Sequence, residues 1–204
     1  MVAIQERFPR FTPEQYLAWE EQQELKYEYI DGEVYAMTGG TVNHGQVATS
    51  LIRLLGNHLV GKGCRILSSD VKVSIARSTD YVYPDISVTC DERDRTAEKY
   101  ISHPCLVIEI LSPSTAGYDR GEKFRMYRRS DALQEYVLVS TNQIEVDIYR
   151  KGNLGQWTII NYSAGDTVEL TSIEMSWPIE ELYAGIIFNK IGRASCRERV
   201  YCVV

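Results

Sequence analysis

One acidic residue inside an apolar strand is the most informative feature of this chain. Residues 105–111 read Cys-Leu-Val-Ile-Glu-Ile-Leu, and Glu109 is the lone charge among them. A carboxylate is costly to bury unless it is paired or binds a cation. The plain reading is a glutamate neutralised by an Arg or Lys neighbour, or a strand end reaching solvent. Asp85 lends weight to the other reading. It follows Pro84 at the entry to a second short strand, Pro84-Asp85-Ile86-Ser87-Val88-Thr89. Alone, Pro-Asp is ordinary turn chemistry. Two strand-borne carboxylates that converge make an oxygen-ligand site suited to Mg2+ or Mn2+, with waters and a substrate phosphate completing the shell. Such an ion polarises a phosphoryl oxygen and lowers the pKa of an attacking water.

The surrounding pattern predicts how these residues are held. Thr12-Pro13-Glu14-Gln15 is a helix start, with Thr12 at the N-cap, Pro13 at N1 and Gln15 completing a capping box; the helix is expected to reach residue 24. Residues 26–31 and 33–38 predict a hairpin turning at Asp31-Gly32. Residues 43–60 predict a second helix, with Val47, Leu51, Leu54, Leu55 and Leu59 on one face and Gly61-Lys62-Gly63 at its end. Residues 64–75 read as a strand, 91–99 as a loop or short helix, and 119–129 as a helix with Phe124 and Tyr127 inward. The apolar run around Glu109 predicts a strand buried on both faces. Residues 135–140, 143–150, 156–162 and 167–171 read as strands, and 178–182 as a helical turn. The order predicts an α/β (α+β) fold, a mixed central sheet flanked by helices, in one domain over residues 8–189.

The bulk numbers are those of a soluble globular chain: 204 residues, 44% hydrophobic and 25% charged. No apolar run reaches membrane-spanning length. Residues 1–10 carry no apolar signal core, which predicts a cytoplasmic address. Residues 191–204 read as the translation of a sequencing adapter and are set aside, the plainer alternative being a basic C-terminal tail. That segment carries three arginines against one glutamate, so the body stands near −8 where the whole chain is −6. Such a charge counts against tight non-specific binding of a polyanion but leaves room for a local basic groove. Cys64, Cys90 and Cys105 are far apart and show no CxxC pattern, which predicts neither a disulfide framework nor a zinc site.

Two stretches, TDYVYPDISV and LVIEILSPSTAGYDRGEKFRMY, resemble the PD-(D/E)XK nuclease superfamily, and more closely its Uma-type restriction endonuclease family. The likeness extends to the opening TPEQYLAWEE, to YEYIDGEVYAMTGGT with His44 just after it, and to Asp70 before VKVSI. It implies a restriction-endonuclease-like fold with an added N-terminal helix and hairpin. It also implies DNA as substrate, a homodimer, and divalent metal at Asp85 and Glu109. The superfamily's lysine usually stands two residues after the second acid. Here Ile110 and Leu111 follow Glu109, so the resemblance points instead to Lys123 on the next helix. Asp119, Lys123 and Tyr127 are spaced i, i+4, i+8 and share a helix face. The plain alternative for Lys123 is a surface ion pair with Asp119.

Other residues stand as supporting candidates. Glu28 or Glu33, both on the hairpin, could supply a third acid, and the sequence does not choose between them. His44 is either a site residue or a helix-cap histidine, and Asp70 either supports the site or is a strand-edge charge. Arg120, Arg125, Arg128 and Arg129 read first as a solvated helix face, with a phosphate contact for one or two as the alternative. Ser112 and Ser114 read as loop hydrogen-bonders, since no Ser-His-acid set accompanies them. The rival to a metal-dependent endonuclease is a non-catalytic homodimeric binding module with a vestigial metal site.

Overall fold

The computed structural model describes residues 9–37, 39–75, 79–112 and 115–188. Helix α1 (Pro13–Glu20) starts as its sequence dictates: Thr12 Oγ1 accepts from Gln15 N–H at 3.3 Å, and Gln15 Oε1 accepts from Thr12 N–H at 2.8 Å. It ends four residues earlier than the pattern predicts, where Glu20 turns inward to Lys72. The hairpin of β1 (Tyr27–Ile30) and β2 (Glu33–Ala36) turns through Asp31 at φ 50° and Gly32 at φ 87°. Positive φ at both central residues is what a tight two-residue turn demands. Helix α2 (Val42–Leu59) buries Val47, Leu51, Leu54, Leu55 and Leu59, the predicted face.

Residues 64–75 form two strands rather than one. A turn closed by Val71 N–H to Ser68 carbonyl (3.1 Å) separates β3 (Arg65–Ser68) from β4 (Lys72–Ile75), and the two enter different sheets. Strand β5 (Asp80–Val82), β6 (Ile86–Thr89), the short β7 (Tyr100–Ile101) and β8 (Leu106–Leu111) follow. A continuous helical segment comes next: α3 (Ala116–Tyr118), a π-helical turn (Asp119–Lys123) and α4 (Phe124–Tyr127). The chain then runs through β9 (Glu135–Ser140), β10 (Glu145–Lys151) and β11 (Trp157–Ser163). A hairpin of β12 (Thr167–Leu170) and β13 (Met175–Pro178) leads into α5 (Ile179–Leu182).

The predicted mixed sheet is two mixed sheets. One has the order β2-β1-β5-β4-β7, the other β11-β10-β9-β8-β6-β3. Strand β8 lies between β6, antiparallel, and β9, parallel. It is buried along its whole length, as its apolar run requires. Leu106, Ile108 and Ile110 pack in the cluster that includes the α2 leucines. Val107 and Leu111 pack on the opposite side, with Tyr127 and Tyr136 and with Val73, Ile75 and Val82 of the other sheet. Alternation along the strand puts Glu109 on that second side, facing α4. Each large apolar side chain buried here contributes roughly 1.5–3 kcal/mol. The burial therefore holds β8 firmly enough to carry one unfavourable carboxylate.

The cysteines depart from expectation. Cys64 and Cys90 form a disulfide with Cα atoms 4.1 Å apart, and Cys90 is exposed. Arg65 and Thr89 are the last pair of the β3–β6 ladder, so the two cysteines are the next pair outward. Register makes neighbours of residues 26 apart in sequence, which spacing alone does not reveal. The expectation of no disulfide is thus corrected. Among the described residues no helix is long and apolar enough to cross a membrane.

Candidate active site

The β6–β8 register brings the two predicted acids together. Ile86 pairs with Ile108, and one step further along the same ladder Asp85 stands beside Glu109. Asp85 Oδ2 accepts from Ile110 N–H at 2.7 Å and lies 3.2 Å from His44 Nε2 on the first turn of α2. Glu109 is 4% exposed. Its Oε1 takes Tyr127 O–H at 2.9 Å and Lys123 Nζ at 2.9 Å, both from the helical segment after β8. The π-helical turn of that segment turns Asp119 and Lys123 inward together, and such turns recur at functional sites. Lys123 Nζ is also 3.9 Å from Asp119 and 4.0 Å from Glu28.

Electrostatics follow from this crowding. Burial pushes the Glu109 carboxyl up to about 8; Lys123 opposes the shift, while Asp85 and Asp119 add to it. Burial raises Asp119 too. For Lys123 burial acts downward, but Glu109, Glu28 and Asp119 around it more than reverse this and keep it protonated. His44 is raised by its bond to Asp85, against the effect of burial. Three carboxylates, those of Glu109, Asp119 and Glu28, thus surround one buried ammonium, with Asp85 beside Glu109, an excess of negative charge that a divalent cation would offset.

The site opens as a cleft of about 810 Å³. Its lining includes Asp85, Glu109, Asp119, Lys123, Glu28 and His44, all expected candidates. Between the two hairpin acids the structure selects Glu28, whose Oε1 accepts from Tyr83 N–H at 3.0 Å. Glu33 lies elsewhere, against Arg10 at 3.6 Å and Tyr35 O–H at 2.9 Å. Asp70 is outside the carboxylate cluster; it is exposed and holds Lys26, itself a cleft residue that the sequence did not single out. Tyr127 is fully buried behind Glu109. The arginines do not converge on the cleft. Arg120 pairs with Asp147, Arg125 with Glu122 and Arg129 with Asp80, and Arg128 is exposed. Ser112 bonds Thr115 within the loop, as expected, at 2.9 Å, while Ser114 and residues 191–204 lie outside the described residues. Beyond the helix face it shares with Asp119 and Tyr127, Lys123 carries no local signal, and only the fold shows that it meets Glu109.

Comparison with known proteins shows the family and the fold. The family described as "Uma2: Putative restriction endonuclease" matches residues 13–180. The chain belongs to the Uma2 family. The match spans every candidate residue of the cleft, from Glu28 to Lys123. Two Synechocystis sp. proteins are similar over most of their length. "Uncharacterized protein slr1290" is 49% identical, covering 89% of this chain and 95% of its own. "Uncharacterized protein sll1609" is 35% identical, covering 78% and 90%. The fold is shared with the crystal structure of a "putative nuclease belonging to DUF820" from Anabaena variabilis. The TM-score is 0.72 at 18% identity, covering 87% of this chain and 99% of that one. The restriction-endonuclease-like α+β architecture of the Uma2 family is thus present here, and the family assignment supports hydrolysis of nucleic acid.

Proposed function

We propose that this Uma2-family chain is a magnesium- or manganese-dependent endonuclease that hydrolyses phosphodiester bonds in DNA, acting as a homodimer in the cytoplasm. One observation carries the reading: Asp85, Glu109 and Lys123 converge from separate elements on the floor of one cleft. The donor set fits a hard cation. Among the described residues no group of three or more His, Cys, Asp and Glu side chains forms a metal-ligating cluster. Magnesium needs only one or two carboxylates and keeps several waters, whereas structural zinc needs four ligands. Asp85 and Glu109 would hold the ion, which when bound would polarise a phosphoryl oxygen and activate a water.

The chain's own residues supply the rest. Ile110 N–H and His44 fix the Asp85 carboxylate, and Tyr127 and Lys123 fix that of Glu109. Lys123, kept protonated by its acidic neighbours, acts as a donor and a positive charge toward a phosphoryl group rather than as a base. Burial of Glu109, Asp119 and Lys123 keeps bulk water off the reacting centre.

Calorimetric titration of magnesium and manganese into wild type, Asp85→Asn and Glu109→Gln tests the reading, with plasmid and single-stranded DNA present to report cleavage. Metal binding and cleavage in wild type, both lost in the variants, is the expected result. Cleavage that persists in either folded variant would sink the mechanism. Absence of both binding and cleavage in wild type would favour a non-catalytic binding module, a reading that the acidic net charge of −6 also favours.

A further inference from the structure

The floor of the cleft is buried and acidic, and this limits what can reach it. Glu109 and Asp119 are each 4% exposed and Lys123 is 9% exposed. A phosphodiester must descend to that floor to react. Among the described residues five carboxylates line the cleft against two lysines, Lys26 and Lys123. A double helix binds chiefly through many phosphate contacts from Lys and Arg, and among the described residues no arginine lines this cleft. An open cleft of about 810 Å³ has room for a nucleotide-sized ligand.

The rim offers two features of another kind. Tyr118, on α3, lines the cleft with 45% of its surface exposed, and Leu25, in the loop before β1, lines it at 58%. An exposed ring at the mouth of a cleft is a stacking surface for a base, which presents its face only when unpaired. Lys26, beside Leu25, is fixed rather than free. Its Nζ donates to the Ser69 carbonyl at 3.0 Å, pairs with Asp70, and lies 5.9 Å from the Tyr83 ring centroid. An ammonium has three N–H donors, so one remains for an incoming ligand.

We infer that the cleft takes an unpaired strand of DNA, stacking one base on Tyr118 and setting a flanking phosphate on Lys26. This deepens the nuclease reading and rests on it for the identity of the substrate. An unpaired strand can dip one phosphodiester to the carboxylate floor while its base stays at the rim. It also needs few phosphate contacts, as the sparse positive charge requires. Asp70, which contributes nothing to the floor, acquires a role in holding Lys26.

The test is fluorescence anisotropy of the full chain with a labelled single strand and with the same sequence closed into a hairpin duplex. Titrations are run in EDTA and again in calcium over a range of salt, and cleavage of both oligonucleotides is followed separately in magnesium and manganese. The strand should bind at least about tenfold more tightly than the duplex. Tyr118→Ala should weaken strand binding by about tenfold, and Tyr118→Phe should preserve it. Lys26→Met should reduce the slope of log affinity against log salt by about 0.7, the share of one phosphate on a single strand. Equal or tighter duplex binding, no binding of either, or an unchanged Tyr118→Ala would overturn the inference. Cleavage of the duplex without strand preference would overturn it too, and leave the nuclease reading standing. Strand-selective binding with no cleavage of either would uphold it and defeat the nuclease reading.

Discussion

Lys123 Nζ lies 2.9 Å from Glu109 Oε1, on a helical segment that begins after β8 has ended. The pair is buried, and the lysine is the counter-charge that Glu109 and Asp119 share. Lys123→Met should therefore leave two carboxyls buried without compensation. Breaking a buried pair from one side costs on the order of 3 kcal/mol. Urea unfolding of the variant should show a midpoint lowered accordingly, with the m-value unchanged. A variant as stable as wild type would mean that the floor of the cleft is wetter than its geometry indicates.

Tyr127 holds the same oxygen from the other direction, at 2.9 Å. Tyr127→Phe keeps the ring in its packed place and removes only that bond. Residues that orient a ligating carboxylate affect metal affinity by about 10- to 100-fold. Calorimetry should find magnesium binding weakened within that range while the circular dichroism spectrum stays unchanged. Unaltered affinity would show that Lys123 alone suffices to orient Glu109.

Stability should depend on pH through Glu109. Its carboxyl is raised from the ordinary 4.5 to about 8 in the folded state, chiefly by burial. Between those values the folded chain holds a proton that the unfolded chain releases. The associated stability is fully present below the unfolded pKa and is lost as pH rises through the folded one. Wild type should melt at progressively lower temperature from pH 5 to 8.5, and Glu109→Gln should show a flatter profile. If magnesium binds the folded state as proposed, adding it at pH 8 should recover part of the loss in wild type only. Parallel profiles for the two proteins would contradict this.

The Cys64–Cys90 disulfide closes a loop of sequence separation 26. Loop-closure entropy of that size stabilises by about 3 kcal/mol. Reduction, or Cys64→Ser, should lower the unfolding midpoint while leaving the cleft intact, since neither cysteine lines it. Thiol titration of the native chain before and after reduction gives an independent check.

Much of the local structure was legible in the sequence because it obeys local rules. The Thr12 cap, the Asp31-Gly32 turn and the buried face of α2 each depend on a few adjacent residues. Glu109 announced itself because an apolar run tolerates a carboxylate only for a reason. Other features depended on contacts between distant segments, and there tertiary structure decided. The hairpin placed Glu28 in the cleft and left Glu33 outside, a choice set by how β1 docks on Tyr83. Residues 64–75 broke into strands of two sheets, and the register of the first paired Cys64 with Cys90. The arginines after β8, read first as a solvated face, are exposed, two of them pairing with Asp147 and Asp80 of other strands, while Lys26 reached the cleft. Strand register explains why these were hidden: a slip of one residue sends every side chain to the opposite face, and only packing across the whole core selects the register. The sequence alone thus determined which elements form and that one strand must bury an acid. Tertiary packing determined which charges meet that acid and which are left to reach a substrate.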